Sequence, residues 1–295
     1  MIRIFLFLIT NFAVTVIFGT VLFLTGMQSD SIAGLIVLSI LVGFSGSIIS
    51  LILSKQIARL SFNGHIITQN SRNQFELWIF QTIQRQSKQV NIQPPEIFIY
   101  YTPEINAFAT GKSKNSALLA LSTALLKNMN KKHIEAVIAH EMSHIINGDM
   151  VTLSLMQGVV NTFVFFISYL ITKVISYIIS TQKESIYVKY ATVFINLFLS
   201  TILQIIFGAL ASMIVMKYSR YREYRADADA TKFVPRKQMI SALERFKQIR
   251  EPSVSHNMST HYIHGKSKSI LNLFSSHPST QDRIIALYNK TYIYH

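Results

Sequence analysis

Four apolar stretches, each long enough to cross a hydrocarbon core as a helix, dominate this 295-residue sequence and dictate its class. They run from about Ile4 to Thr25, Ile32 to Leu53, Leu155 to Ile179 and Ala191 to Met216, and a span takes roughly 20 helical residues. Half of the residues are hydrophobic and only 14% are charged, well below the roughly one quarter charged in an ordinary soluble domain. The first stretch follows Arg3 and has no small-residue cleavage pattern before Gly26, so it reads as an uncleaved anchor and not a signal peptide. The expectation is a mainly α membrane protein with four transmembrane helices. Two hairpins, residues 1–54 and 153–216, alternate with the more polar segments 55–152 and 217–295, which together are expected to form an α+β domain with a small sheet.

A formal charge of +14 raises the question of nucleic acid. No recognition element with interleaved aromatics gathers the basic residues, so no nucleic-acid partner is expected. Many of them flank the spans instead. Lys55 and Arg59 follow the second, Lys217, Arg220, Arg222 and Arg225 follow the fourth, and the loop Gly26 to Ser31 carries only Asp30. The positive-inside rule then puts both termini and the central domain in the cytoplasm. Lys183 and Lys189, beside Glu184, make this bias less clean for the second hairpin. Cysteine is absent, so neither disulfides nor thiolate ligands are available. Nothing in the sequence specifies an oligomeric state.

Between the hairpins, Phe75, Leu77, Trp78, Ile79 and Ile83 predict a helix packed on a core and ended by Pro94 and Pro95. Glu96 to Tyr101 reads as a strand. Asn106 to Thr110 and Ala117 to Leu121, joined by the turn-like GKSKN, read as a strand pair. Asn130 and Gly148 bracket a helix as N-cap and terminating glycine. Helices are also expected over 219–233, ended by Pro235, over 238–250 and over 280–288, with residues 251–269 as a loop.

The helix between Asn130 and Gly148 carries HEMSH, residues 140–144. Two histidines four residues apart on one helix face supply neutral nitrogen ligands at a fixed separation, the pattern of a zinc peptidase. Glu141 between them is placed as general base. It would take a proton from a water acidified by zinc and pass it to the leaving amine.

The third ligand needs a further argument. A metzincin would place glycine and histidine where Asn147 and Met150 stand. The remaining common arrangement is a glutamate on a second helix, with an aspartate one turn later orienting a ligand histidine through its other ring nitrogen. Glu223 and Asp227, in SRYREYRADADA, supply that pair; the alternative is a surface helix in which Arg220, Arg222 and Arg225 pair with them. Chain order favours the metal reading, because an even number of crossings between HEMSH and Glu223 returns the chain to the same membrane face. His256, His261 and His264 are irregularly spaced in the loop and are not taken as ligands. His277 and Arg283, six residues apart, are candidates to stabilise an oxyanion or brace Glu223.

Taken together, these motifs resemble the HtpX family of heat-shock membrane peptidases, relatives of the membrane proteases that trim prenylated proteins. The resemblance rests on the N-terminal spans and on INAFATG (105–111), ALSTALL (120–126), EAVIAHEMSHIINGDMVT (135–152), QGVVNTFVFF (157–166), YREYRADADA (221–230) and HPSTQDRI (277–284). It implies a gluzincin-type, zincin-like domain with one zinc held by His140, His144 and Glu223, Glu141 as catalytic residue and Asp227 behind the ligands. His277 and Arg283 gain weight as catalytic candidates. It also implies turnover of misfolded or damaged membrane proteins at the inner face of a bacterial plasma membrane. Asn106, Ala107, Phe108 and Ala109 resemble the family's substrate-pairing edge strand, the alternative being an ordinary buried strand. Two rival functions remain: a dedicated processing peptidase for lipidated or prenylated tails, and a catalytically silent scaffold, for which Glu141 would have no use.

Overall fold

The computed structural model describes residues 32–180, 186–250 and 277–292. The first apolar stretch, Lys183 and Glu184, and the segment with His256, His261 and His264 lie outside the described residues. The helices are α1 (Ile32–Ser61), α2 (Gln74–Gln89), α3 (Thr123–Asn128), α4 (Lys131–Asn147), α5 (Asp149–Ser180), α6 (Ile186–Ala230), α7 (Arg236–Arg250) and α8 (Thr280–Tyr288). The strands are β1 (Gly64–Ile67), β2 (Glu96–Tyr100), β3 (Ala107–Ser113) and β4 (Ser116–Ser122). Among the described residues, contacts divide the chain into two compact units, those up to 49 with those of 154–215, and those of 50–153 with those from 216 onward.

Among the described residues, three helices are long and apolar enough to cross a membrane, over Ile32–Ser61, Asp149–Ile178 and Phe198–Ala230. In the first unit, α1 and α5 cross through small residues. A Cβ added to Gly43 would lie 2.3 Å from Thr162 Oγ1, and one added to Gly158 would lie 2.6 Å from the Phe44 ring. Such close approach gives apolar helices their packing where lipid is as apolar as the side chains. Several polar side chains in these helices bond locally: Ser47, Thr162, Thr172 and Ser212 each donate to a carbonyl one turn back, and Gln157 donates to Asn161 at 2.8 Å.

The second unit is built on a mixed sheet in the order β1-β2-β4-β3. β2 runs parallel to β4, and the other pairs are antiparallel. One face, with Ile97, Ile99, Leu119 and Leu121, joins Ile79 and Ile83 of α2 and Ile134, Ile138 and Met142 of α4 in the main core. β3 is an edge strand whose pairing with β4 shifts register between Gly111 (φ 139°) and Ser113, and a Cβ on Gly111 would meet Ser116 O at 2.2 Å.

Several boundaries differ from expectation for local reasons. α2 stops at Gln89, ahead of the prolines, because Asn91 turns the chain at φ 53°. α6 stops at Ala230, not at Phe233. β1 and the short α3, capped by Ser122 Oγ on Leu125 N–H, were not anticipated.

Candidate metal centre

α4 owes its limits to two caps. Asn130 accepts from the His133 N–H at 2.9 Å, and Gly148 ends the helix in the left-handed conformation, where its N–H reaches the His144 and Ile145 carbonyls. Its faces explain its depth. Ile134, Val137, Ile138, Met142 and Ile145 pack towards the sheet, while Ala136 and Ala139 let α7 and α8 close on the other side through Met239, Leu243 and Ile284. HEMSH is therefore buried throughout.

The imidazoles of His140 and His144 stand edge to face, with their Nε2 atoms 3.2 Å apart. Glu223, on the last turns of α6, faces both. Its Oε2 is 3.6 Å from His140 Nε2 and its Oε1 is 3.3 Å from His144 Nε2. One ligand atom from each of the three lies within 4.8 Å of the others, and all three residues are buried. Glu223 and Asp227 are each 1% exposed, so this is no surface helix of salt bridges.

The donor set fits a metal ion. Two ring nitrogens point at each other, and Glu223 Oε1 is buried with no hydrogen-bond partner. Glu141, Asp149, Glu223 and Asp227 are buried carboxylates, opposed by Arg283, by Arg225 on Asp149 and by Arg222 at 3.8 Å from Glu223. Uncompensated buried charge is costly, and the carboxylates raise the proton affinity of both histidines. Burial pulls His140 down, but Asp227 and Glu223 outweigh it and the imidazole is pushed up to about 9. His144, despite its burial, is likewise raised, by Asp149 and Glu223. A cation at the Nε2 atoms would offset the same negative charge.

The other expected residues divide into three groups. Asp227 Oδ1 lies 2.9 Å from His140 Nδ1, and Arg283 binds both Asp227 oxygens while its Nη1 stays 3.7 Å from Glu223 Oε2. Arg283 thus holds Asp227 first, and His277, itself exposed, is the residue against Glu223, with Nδ1 2.9 Å from Oε2. Glu141 is 8% exposed, and among the described residues no hydrogen bond or ion pair engages its carboxylate. In the strand segment Asn106 is exposed and Ala107, Phe108 and Ala109 are half-buried on the sheet edge.

Sequence reasoning missed Asp149 and Arg225. Asp149 Oδ2 is 2.7 Å from His144 Nδ1, and Arg225 Nη2 donates to Oδ1 at 3.2 Å. The available signal was the glycine-aspartate pair directly after the motif helix.

Known proteins resemble this chain in sequence and in fold. The profile of Peptidase family M48 matches residues 73–291. Protease HtpX of Buchnera aphidicola subsp. Acyrthosiphon pisum (strain Tuc7) is 53% identical over 293 residues, covering 99% of this chain and all of that protein. Protease HtpX of Cronobacter sakazakii is 48% identical over the same share. The crystal structure of S. mikatae Ste24p shares the fold, with a TM-score of 0.66 at 19% identity, covering 93% of this chain and 62% of that one. With its apolar helices, this chain is an integral membrane protein, and it belongs to peptidase family M48, among the HtpX-type metalloproteases.

Proposed function

We propose that this protein is a zinc-dependent endopeptidase that cleaves misfolded or damaged membrane proteins at the cytoplasmic face of a bacterial plasma membrane. The observation that carries the reading is the buried group of His140, His144 and Glu223 beside a Glu141 carboxylate that no hydrogen bond or ion pair engages among the described residues. In this reading two apolar hairpins, residues 1–54 and 153–216, hold a catalytic domain made from residues 55–152 and 217–295.

Held by His140, His144 and Glu223, zinc would supply a Lewis acid that acidifies water and polarises the scissile carbonyl. Glu141 takes the water's proton and delivers it to the departing amine. Asp227 accepts the His140 Nδ1 proton and so keeps the Nε2 lone pair directed at the site. His277 steadies Glu223 from the open side, where its exposure also brings it within reach of substrate. The substrate backbone is added to β3 as a further strand. Ser122 N–H donates to Asn106 O, so Asn106, Phe108 and Thr110 turn their backbone groups to β4, and Ala107 and Ala109 turn theirs to the free edge.

Metal content and cleavage of a casein-like substrate, measured together on the wild type and Glu141→Gln, test the assignment. Undiminished cleavage by the variant would overturn it. Orientation is tested separately. The chain has no cysteine, so one introduced at Glu184 reports by itself, and labelling from the cytoplasmic side would reverse the topology of the second hairpin.

A further inference from the structure

Asp149 is fully buried, and the reaction as described makes no use of it. Its position follows from one turn of backbone. Gly148 adopts φ 66° and ψ 29°, ending α4, and the next residue's carboxylate folds back onto the helix the chain has just left. There Oδ2 meets His144 Nδ1 at 2.7 Å, and Oδ1 accepts from Arg225, which stands on α6 two residues beyond Glu223. The other histidine is held alike: His140 Nδ1 against Asp227, with Arg283 behind the carboxylate.

We propose that Asp149 and Arg225 form a positioning pair for His144, the counterpart of Asp227 and Arg283 for His140. The proposal rests on the metal-ligand reading of His140, His144 and Glu223. By accepting the Nδ1 proton, Asp149 fixes the tautomer that leaves a lone pair on Nε2, the atom facing His140 and Glu223. Arg225 occupies the second oxygen and stops the carboxylate from rotating away. A simpler role exists, because Asp149 is the first residue of α5 and an acid there favours the helix. That role needs neither complete burial, nor an arginine from another helix, nor a short contact to one particular ring nitrogen.

The two roles separate in metal affinity. The full-length protein in detergent is stripped of metal and titrated with zinc against a chelator, and the cobalt(II) form is followed by visible absorption. Asp149→Asn is expected to weaken zinc binding about 10–100-fold and to alter the cobalt bands. Arg225→Gln, at a half-buried site, is expected to weaken it less, in the same direction. The double variant is expected to bind no more weakly than Asp149→Asn, because both act through one contact.

Zinc affinity within about twofold of wild type in Asp149→Asn, with unchanged cobalt bands, overturns the pairing. If that variant does not fold, Arg225→Gln decides, and unchanged affinity there overturns it equally. Glu223→Ala separates the pairing from its premise. Failure of wild type to take up zinc, or full affinity in Glu223→Ala, refutes the ligand set; loss of zinc in Glu223→Ala with full affinity in Asp149→Asn and Arg225→Gln refutes the pairing alone.

Discussion

Arg283 grips both carboxylate oxygens of Asp227, at 2.7 Å through Nε and 2.6 Å through Nη2, in a site where Asp227 is 1% exposed. Burial alone lowers a guanidinium's pKa, yet here Asp227 raises it, so the charge on Arg283 is permanent. Arg283→Met would leave Asp227 a buried charge with only the His140 ring beside it, and breaking buried ion pairs costs roughly 3–5 kcal/mol. Arg283→Lys keeps the charge but not the two-pronged geometry and is expected to recover only part of that stability. Thermal unfolding in detergent measures both.

Glu141→Gln is expected to bind zinc as the wild type does, because the amide disturbs none of the three ligand atoms. Proteolysis should fall by about 10²–10⁴-fold, the usual contribution of a positioned base. Parallel elemental analysis and peptide-cleavage rates check the two halves of the statement.

Glu223→Ala is expected to lose most bound metal, since two protein ligands remain on one helix. Zinc per chain after exhaustive dialysis is the measure, and stoichiometric zinc would place the third ligand elsewhere.

Metal uptake should depend on pH with a definite sign. The metal-free His140 titrates at about 9, above its usual value of about 6.5, so at neutral pH zinc must displace a proton from it. Affinity is then expected to fall about tenfold per pH unit for each proton displaced as pH drops below 9. Calorimetry in buffers of different ionisation enthalpy counts those protons. Without metal, the same shift stabilises the fold fully below about 6.5, and that contribution is lost as pH rises through 9.

The centre was legible where it depends on helical spacing. His140, Glu141 and His144 recur within four residues on α4, as do Glu223 and Asp227 on α6, and residue type then names the chemistry. Asp149 was not legible, because its contact depends on a single left-handed residue at Gly148 and not on periodicity. β1 escaped notice for a similar reason: GHII is four residues long and is recruited by β2 through pairings such as Ile66 with Phe98. The division of labour between His277 and Arg283 was also out of reach, since spacing brings both to the site but does not say which carboxylate each one meets.

Ala109→Pro is expected to raise KM with metal content unchanged, because it removes an N–H from the free edge of β3 while leaving the pairs with β4 intact. Phe108→Pro, which breaks the ladder itself, should destabilise the sheet instead. Steady-state kinetics on the first variant and thermal unfolding on the second distinguish these outcomes.

The unit that holds the metal centre is discontinuous in the chain, with residues 154–215 assigned to the other unit between its two parts. During synthesis His140 and His144 emerge long before Glu223, and most of the described residues between them belong to the long apolar helices α5 and α6. With His140, His144 and Glu223 as the proposed ligands, a ribosome-bound chain at that stage has only two of the three. On that reading the ligand set becomes complete only once the apolar helices α5 and α6 have been made.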